Sequence, residues 1–418
     1  MNQPTTPVRC PAIEHPDLPL ADPALLAPLV TRLADTRPVA DDEAFPLGTL
    51  RPDGRVDLCK QGLGPDGAAH LLPAAAGSPH AAHLLLGTNS LGDEGARSIA
   101  DALTAAHDTA HAHPHTRTDP DALTAAHHTD TAHAHPHTHT HTHTHTHGIQ
   151  TLYLGCNRIG PDGVTALADA LAEDTTVRAL WLKRNPVTAT GARALAGLLR
   201  RNSTLRTLDL VNSGIGPEGV RRLLDALLDR AAPLERLFLG GNGLTAADAP
   251  LLAALLRDAG VRELYLPANH LGDDGTAVLA AATDPTRPVR LGLGGNGIGP
   301  DGARALADAL DGIEVLDLGR AMSERSLGSS GNTTGDDGAQ ALATALPGSP
   351  LRRLELRHTG ITGRGAKCLL SALPDGHRLE YVGLGPGTPR RVKRAFAERL
   401  RPARPTHPDL RAIGSVYR

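Results

Sequence analysis

The sequence predicts an α/β solenoid: a curved horseshoe with a parallel β-sheet on its concave face and α-helices on its convex face. Three observations predict it. A Leu-x-Leu phrase recurs with its first leucine at Leu152, Leu180, Leu208, Leu237, Leu264 and Leu291, at steps of 27–29 residues. A fixed step of that size marks stacked units, each one strand and one helix long. Behind the phrase, Val164, Leu167, Ala168 and Leu171 fall at i, i+3, i+4 and i+7, the apolar stripe of an amphipathic helix. Between the two lies Gly-Pro-Asp-Gly, at 64–67, 160–163 and 299–302, which puts proline in a first helical turn and an acidic residue near the positive end of the helix dipole.

The two leucines of each phrase point to one side of a strand and the residue between them to the other. Neighbouring copies therefore share a parallel sheet, with the helices packed on its leucine side. A helix is ~10 Å wide and strands are ~4.8 Å apart, so the stack must bend with the sheet inside. Asn89, Asn157, Asn185, Asn242, Asn269 and Asn296 follow the strands and are expected to bond backbone groups at the turn. Gln61, Ser213, Ala321 and Thr359 stand at that place in the other copies, where the turn should be less firmly tied.

The full phrase, Ile149-Gln150-Thr151-Leu152-Tyr153-Leu154-Gly155-Cys156-Asn157-Arg158-Ile159-Gly160-Pro161-Asp162-Gly163, resembles the leucine-rich repeat in its long, ribonuclease-inhibitor-like variety. The resemblance covers roughly residues 50–385. It implies a non-enzymatic scaffold that binds another protein with its inner face. The dense cysteines of ribonuclease inhibitors are missing here, so inhibition of a ribonuclease is not implied. The array is also similar to GTPase-activating proteins of the Ran type, which implies an alternative activity on a GTPase, although the long acidic tail common there is missing.

Residues 1–50 carry no repeat. Asp22-Pro23 reads as a helix start, followed by Leu25, Leu26, Leu29, Val30 and Leu33 at helical spacing. This is the expected cap over the open end of the first unit, as solenoids require. The array of about eleven units then runs over 51–385, with degenerate first copies at Val56 and Leu84. It is interrupted by a His/Thr-rich insertion at 104–148, expected to be disordered. A second, Ser/Gly-rich insertion lies around residues 322–334. In the last segment, 386–418, Val392, Phe396 and Leu400 make one apolar helix face, the expected C-terminal cap, before a Pro/Arg-rich tail.

Composition bounds the function. With 42 basic and 45 acidic residues and a net charge of −3, the chain is not a whole-surface nucleic-acid or membrane binder. No apolar stretch approaches the ~18 residues of a membrane span, and the start has neither a basic nor an apolar leader region. Four scattered cysteines, Cys10, Cys59, Cys156 and Cys368, suggest a reducing cytoplasm rather than a disulfide framework or zinc site. No nucleophile elbow, metalloprotease motif or phosphate loop is present, so neither enzymatic activity nor a cofactor is expected.

The candidate site follows from the aromatics. The chain has only one Trp, four Tyr and three Phe. Tyr153, Trp181, Phe238 and Tyr265 occupy the middle position of the phrase in four of five consecutive copies, with Asp209 in the fifth. Lys183, Arg236 and Glu263 flank them. Strand propensity and cross-strand stacking favour aromatics there, and so does a protein-binding hot patch, in which Trp and Tyr dominate. These positions face the hollow with no core behind them and are expected to be free for a partner protein.

Fourteen of the 22 histidines lie in the 104–148 insertion. His137, His139, His141, His143, His145 and His147 alternate with threonine, and imidazoles so dense can bind Zn²⁺ or Ni²⁺. Metal sequestration is thus a third reading, although a tandem duplication within the insertion points to simple-sequence expansion. The basic run from Arg390 through Arg391, Lys393, Arg394, Arg399 and Arg401 to Arg404 reads as a solvated helix face.

Overall fold

A computed structural model describes residues 18–112, 148–321 and 327–414. The N-terminal cap is a 3₁₀ turn, Pro23–Leu26, running into α1 (Ala27–Ala34), then β1 (Glu43–Ala44) and β2 (Thr49–Leu50). Asp22 caps the turn by accepting from Ala24 N–H at 2.9 Å, and Leu26, Leu29 and Leu33 are buried against the first unit.

The repeats then alternate strand and helix. In order they are β3 (Arg55–Asp57), α2 (Gly64–Ala76), β4 (His83–Leu85), α3 (Gly92–Ala112), β5 (Thr151–Tyr153), α4 (Pro161–Leu171), β6 (Ala179–Trp181) and α5 (Thr188–Arg201). They continue with β7 (Thr207–Asp209), α6 (Gly216–Leu228), β8 (Arg236–Phe238), α7 (Ala249–Arg257), β9 (Glu263–Tyr265), α8 (Gly272–Ala280), β10 (Val289–Gly292) and α9 (Pro300–Asp308). The last are β11 (Ile313–Asp317), α10 (Gly335–Ala345), β12 (Arg353–Glu355), α11 (Gly363–Ser371) and β13 (Tyr381–Gly383), with α12 (Arg390–Arg399) and α13 (Pro408–Ala412) beyond them.

Among the described residues these strands form a single 13-stranded sheet in strict chain order. The β1–β2 and β2–β3 pairings are antiparallel and every later pairing, from β3–β4 to β12–β13, is parallel. Register follows the first leucine of each phrase, Leu152 opposite Leu180 opposite Leu208. The leucines on the helix side, with the helix stripes, make one continuous core from Leu26 to Phe396.

Two hydrogen-bond ladders tie units together, the first at most turns and the second at three junctions among the described residues. In the first, a buried asparagine reaches both ways. Asn185 Nδ2 donates to Leu154 O and Leu182 O, both at 2.9 Å, while its Oδ1 accepts from Asn157 N–H and Ile159 N–H. The same pattern serves the unit of β11, but through Asn332: its Nδ2 donates to Leu293 O and Leu318 O, and its Oδ1 accepts from Asn296 and Ile298 N–H. The expectation that Ala321 stands at this turn is therefore corrected. The insertion lies before the asparagine, between strand and turn, and the ladder resumes once it has been traversed. Leu327, on the insertion, is buried and lies against Gly241 in the turn after β8.

The second ladder uses the aspartate that follows the first glycine of a helix. Asp273 Oδ1 accepts from Gly299 N–H at 2.7 Å and Gly302 N–H at 2.9 Å, capping the helix of the next unit. Asp93 does the same for Gly160 and Gly163, and Asp336 for Thr362 and Gly365. This explains the second glycine of Gly-x-x-Gly. A Cβ at Gly302 would meet Asp273 Oδ1 at 2.5 Å and Ile298 Cγ2 at 2.8 Å.

α3 continues to Ala112, so the first residues of the stretch expected to be disordered, 104–112, are helical; Leu103 is buried just before them, and the good helix formers Ala105 and Ala106 carry the pattern on. The rest of that expectation, including the histidines from His137 to His147, lies outside the described residues.

Candidate binding face

The sheet lays its middle positions side by side across the hollow. Tyr153 pairs with Trp181, Trp181 with Asp209, Asp209 with Phe238 and Phe238 with Tyr265. The rings form a floor rather than separate posts. Phe238 and Tyr265 stack at 4.5 Å between centroids and 7° between planes. Trp181 and Phe238, two strands apart, lean together to 5.2 Å at 45°. Strands two apart are ~9.6 Å apart at the backbone, so these rings close over the intervening Asp209.

Glycines give the rings their room. A Cβ on Gly87 would collide with the Tyr153 ring, and one on Gly292 with the Tyr265 ring. Lys183 Nζ sits 5.6 Å from the centroid of Tyr153. This is a cation–π contact.

Burial shifts the charges in this floor. Asp209 is covered, and loss of water pushes its carboxyl up to about 6, against the opposing pull of the Val211 N–H and of Lys183. Burial lowers the Lys183 ammonium for the same reason. The Tyr265 hydroxyl is raised by burial and by Glu263, to which it donates at 3.1 Å.

Below the aromatics, along one edge of the strands, runs a chain of ion pairs. Arg236 meets Glu263 at 2.9 Å and Glu235 at 3.1 Å. Arg290 joins Glu263 at 3.2 Å to Glu314 at 2.9 Å, and Arg352 joins Glu314 to Glu380.

The expectation that this face is free is overturned. Beyond α12 the chain turns back into the hollow, and α13 seats on the floor. Asp409 Oδ2 accepts from Thr207 Oγ1 at 2.8 Å and lies 3.5 Å from Arg236 Nη1. Ile413, 2% exposed, joins Leu85, Tyr153, Ala179 and Trp181 in an apolar cluster separate from the main core, with Leu410 and Phe238 against it. Tyr153, Trp181, Asp209, Arg236 and Glu263 are accordingly buried, while Lys183, Phe238 and Tyr265 are half-buried. The C-terminal part of the face, around Arg353, Glu355 and Arg357, is polar and open by comparison.

The fold thus brings together all eight residues expected from the sequence. It adds Asp409, Leu410 and Ile413, which sequence reasoning missed. Pro408 before Asp409 is a helix-start signal, and Leu410 and Ile413 share the i, i+3 spacing of one helix face; those were the available clues. The arginines of the basic run, Arg390, Arg391 and Arg394 and also Arg399, Arg401 and Arg404, are exposed as expected, but not all of them point idly into solvent. Arg399 donates to Leu370 O and Leu373 O at the end of α11, and Arg401 to Asp375 O. Free carbonyls at a helix C-terminus attract such donors.

Among the described residues no group of three His, Cys, Asp or Glu is placed to hold a metal ion, and no helix is long and apolar enough to cross a membrane.

Four segments, 149–168, 201–224, 289–307 and 349–370, match the family described as Leucine Rich repeat. With the sheet in chain order and the helices outside it, the fold is a leucine-rich repeat solenoid. Comparison with characterised proteins gives no match. Among solved structures the chain is similar to one described as "Crystal structure of TLR13-ssRNA13 complex", at 13% identity, 56% coverage of this chain and a TM-score of 0.30. The match spans 36% of the length of that chain.

Proposed function

We propose that this chain is a non-enzymatic protein-binding scaffold of the ribonuclease-inhibitor-like variety, working in the cytoplasm and holding another protein on its concave face. One observation carries the reading: the aromatic floor already seats a peptide segment, with apolar contacts from Leu410 and Ile413 and a charged anchor in Asp409. Aromatic side chains and arginine dominate protein interfaces because they desolvate large areas with little conformational loss. The edge ion pairs add direction, since fixed charges orient a partner more than they tighten it.

A reducing compartment fits the thiols. Cys59, Cys156 and Cys368 are free, and burial pushes Cys59 up to about 12, so it stays protonated and is a poor nucleophile.

Cross-linking tests the reading. Photoreactive residues at exposed positions beside the floor, such as Lys60 and Arg357, are compared with residues on the convex helices, such as Arg193 and Arg304. Partner cross-links confined to the first set support the concave face. Cross-links confined to the second set would move the site to the helices and overturn the reading.

A further inference from the structure

One segment in the hollow belongs to no repeat. The array is already closed by α12, whose Val392 and Phe396 join the main core. Residues 401–406 then run exposed along the edge of the sheet. Arg401 N–H donates to Leu379 O at 2.8 Å and Arg404 N–H to Glu380 Oε2 at 3.1 Å. The Arg404 guanidinium lies 3.8 Å from Glu314. With the Arg404 side chain largely in solvent, these contacts hold the strap only weakly. Burial resumes only from Asp409 to Ile413, on β4 to β8.

The length of this strap suits its task. Pro402, Pro405 and Pro408 keep it extended, and at ~3.1 Å per residue the eight steps from Arg401 to Asp409 reach ~25 Å. The distance to cover, from β13 back to Arg236 on β8 and Thr207 on β7, is five to six strand spacings, or ~24–29 Å, so the strap must run close to full extension. A tether has its highest effective concentration when its reach matches the span. The docked element is a five-residue helix, too short to persist without the face beneath it. Its polar contact comes from Asp409 and its apolar contacts with the floor from Leu410 and Ile413, with Ala412 buried beside them. Trp181 Nε1 beneath it finds no acceptor among the described residues, so a competing segment that supplies one gains a hydrogen bond.

We infer that the face recognises a short helical segment with a carboxylate followed one and four positions later by aliphatic side chains, and that residues 407–413 are its resident occupant, displaced by a partner protein presenting the same pattern. The inference rests on the protein-binding reading above and names the chemistry of the partner. Arg236 and Thr207 read the carboxylate. Leu85, Tyr153, Trp181 and Phe238 read the two aliphatic groups.

Trp181 is the chain's one tryptophan, so its emission reports occupancy directly. In the full chain, Leu410→Asp with Ile413→Asp should red-shift that emission and expose the indole to acrylamide, with far-UV circular dichroism unchanged. A peptide of residues 401–414 should reverse the shift saturably, whereas one carrying Asp409→Lys and Ile413→Asp should not. The labelled peptide should bind the intact chain at least ~10-fold more weakly than the opened chain, because the tethered tail competes. Asp409→Lys alone, which sets a like charge against Arg236, is the second variant should the first misfold. Unchanged emission in a folded variant, equal peptide binding by both chains, or equal binding of both peptides would overturn the inference. So would tail exchange between two copies, seen as a concentration-dependent dimer that the substitutions abolish. The indole readout is independent of the cross-linking above: emission that responds while cross-links fall on the convex helices would sink the protein-binding reading and leave the resident segment standing.

Discussion

Thr207 and Asp409 lie 202 residues apart in sequence and share a buried hydrogen bond of 2.8 Å. The bond joins the middle of the sheet to the end of the chain, and it fixes the depth at which α13 sits. Arg236 beside it, itself tied to Glu263, supplies the positive charge that lets a carboxylate enter the hollow.

This relationship is measurable by a double-mutant cycle. Thr207→Val and Asp409→Ala should each weaken tail docking, read as the transition in Trp181 emission. A bond to a charged group contributes ~1.5–3 kcal/mol, so the two losses should fall short of additivity by at least ~1 kcal/mol. Strict additivity would show that the contact contributes nothing.

The buried carboxyl of Asp209 should make stability depend on pH. Its folded value of about 6 lies above the ordinary 3.8. A raised acid favours the folded state fully below its unfolded value, and that contribution is lost as pH rises through about 6. A rise from 3.8 to about 6 corresponds to on the order of 3 kcal/mol at most. Asp209→Asn keeps an oxygen for Val211 N–H and removes the charge. The variant should be the more stable protein at pH 7.5, with the gap closing by pH 4, as followed by thermal melts. A gap independent of pH would show that the carboxylate is not buried under the rings.

His407 should act in the opposite direction on the tail. Burial and the nearby Arg236 lower it from 6.5, against Asp409, Glu263 and Glu235. Its Nδ1 accepts from Asp409 N–H at 3.3 Å, which requires the neutral ring. A depressed base contributes stability above its ordinary value and loses it as pH falls through the lowered one. Docking in the Asp209→Asn background should therefore weaken as pH drops from 7 to 5, and His407→Gln should flatten that slope. A slope unchanged by His407→Gln would exclude this ring as its source.

The aspartate ladder predicts a contrast within one helix. Asp273 caps the next unit through Gly299 and Gly302, whereas Asp274 beside it is exposed. Asp273→Ala should cost ~0.5–2 kcal/mol, as lost helix caps do, and Asp274→Ala under ~0.5 kcal/mol. Equal costs in denaturant melts would show that Asp273 acts only through the dipole of its own helix.

Asn332 predicts local opening. Its removal leaves the buried N–H groups of Asn296 and Ile298 and the carbonyl of Leu318 short of a partner, while Leu293 O keeps Asn296 Nδ2, at ~1–3 kcal/mol for each group left unsatisfied. Asn332→Ala should lower the melting temperature and speed hydrogen exchange at the Asn296 and Ile298 amides ahead of those around Asn157. Uniform exchange would show that the insertion, not the asparagine, ties this turn.

Much of this molecule was legible in its sequence. The 27–29-residue step, the paired leucines and the helix stripes specify one unit, and each unit touches chiefly its neighbours. Local pattern therefore determined the sheet order, the core and the row in which Tyr153, Trp181, Phe238 and Tyr265 stand. The same locality hid the rest. That Asn332 rather than Ala321 closes its turn depends on how the chain crosses an insertion. That Trp181 and Phe238 meet over Asp209 depends on the curvature that brings alternate strands' side chains together. That Ile413 covers Trp181 depends on a strap crossing several units back. Periodicity carries no information about contacts between residues that do not repeat, so only the folded shape of the array decided what lies in its hollow.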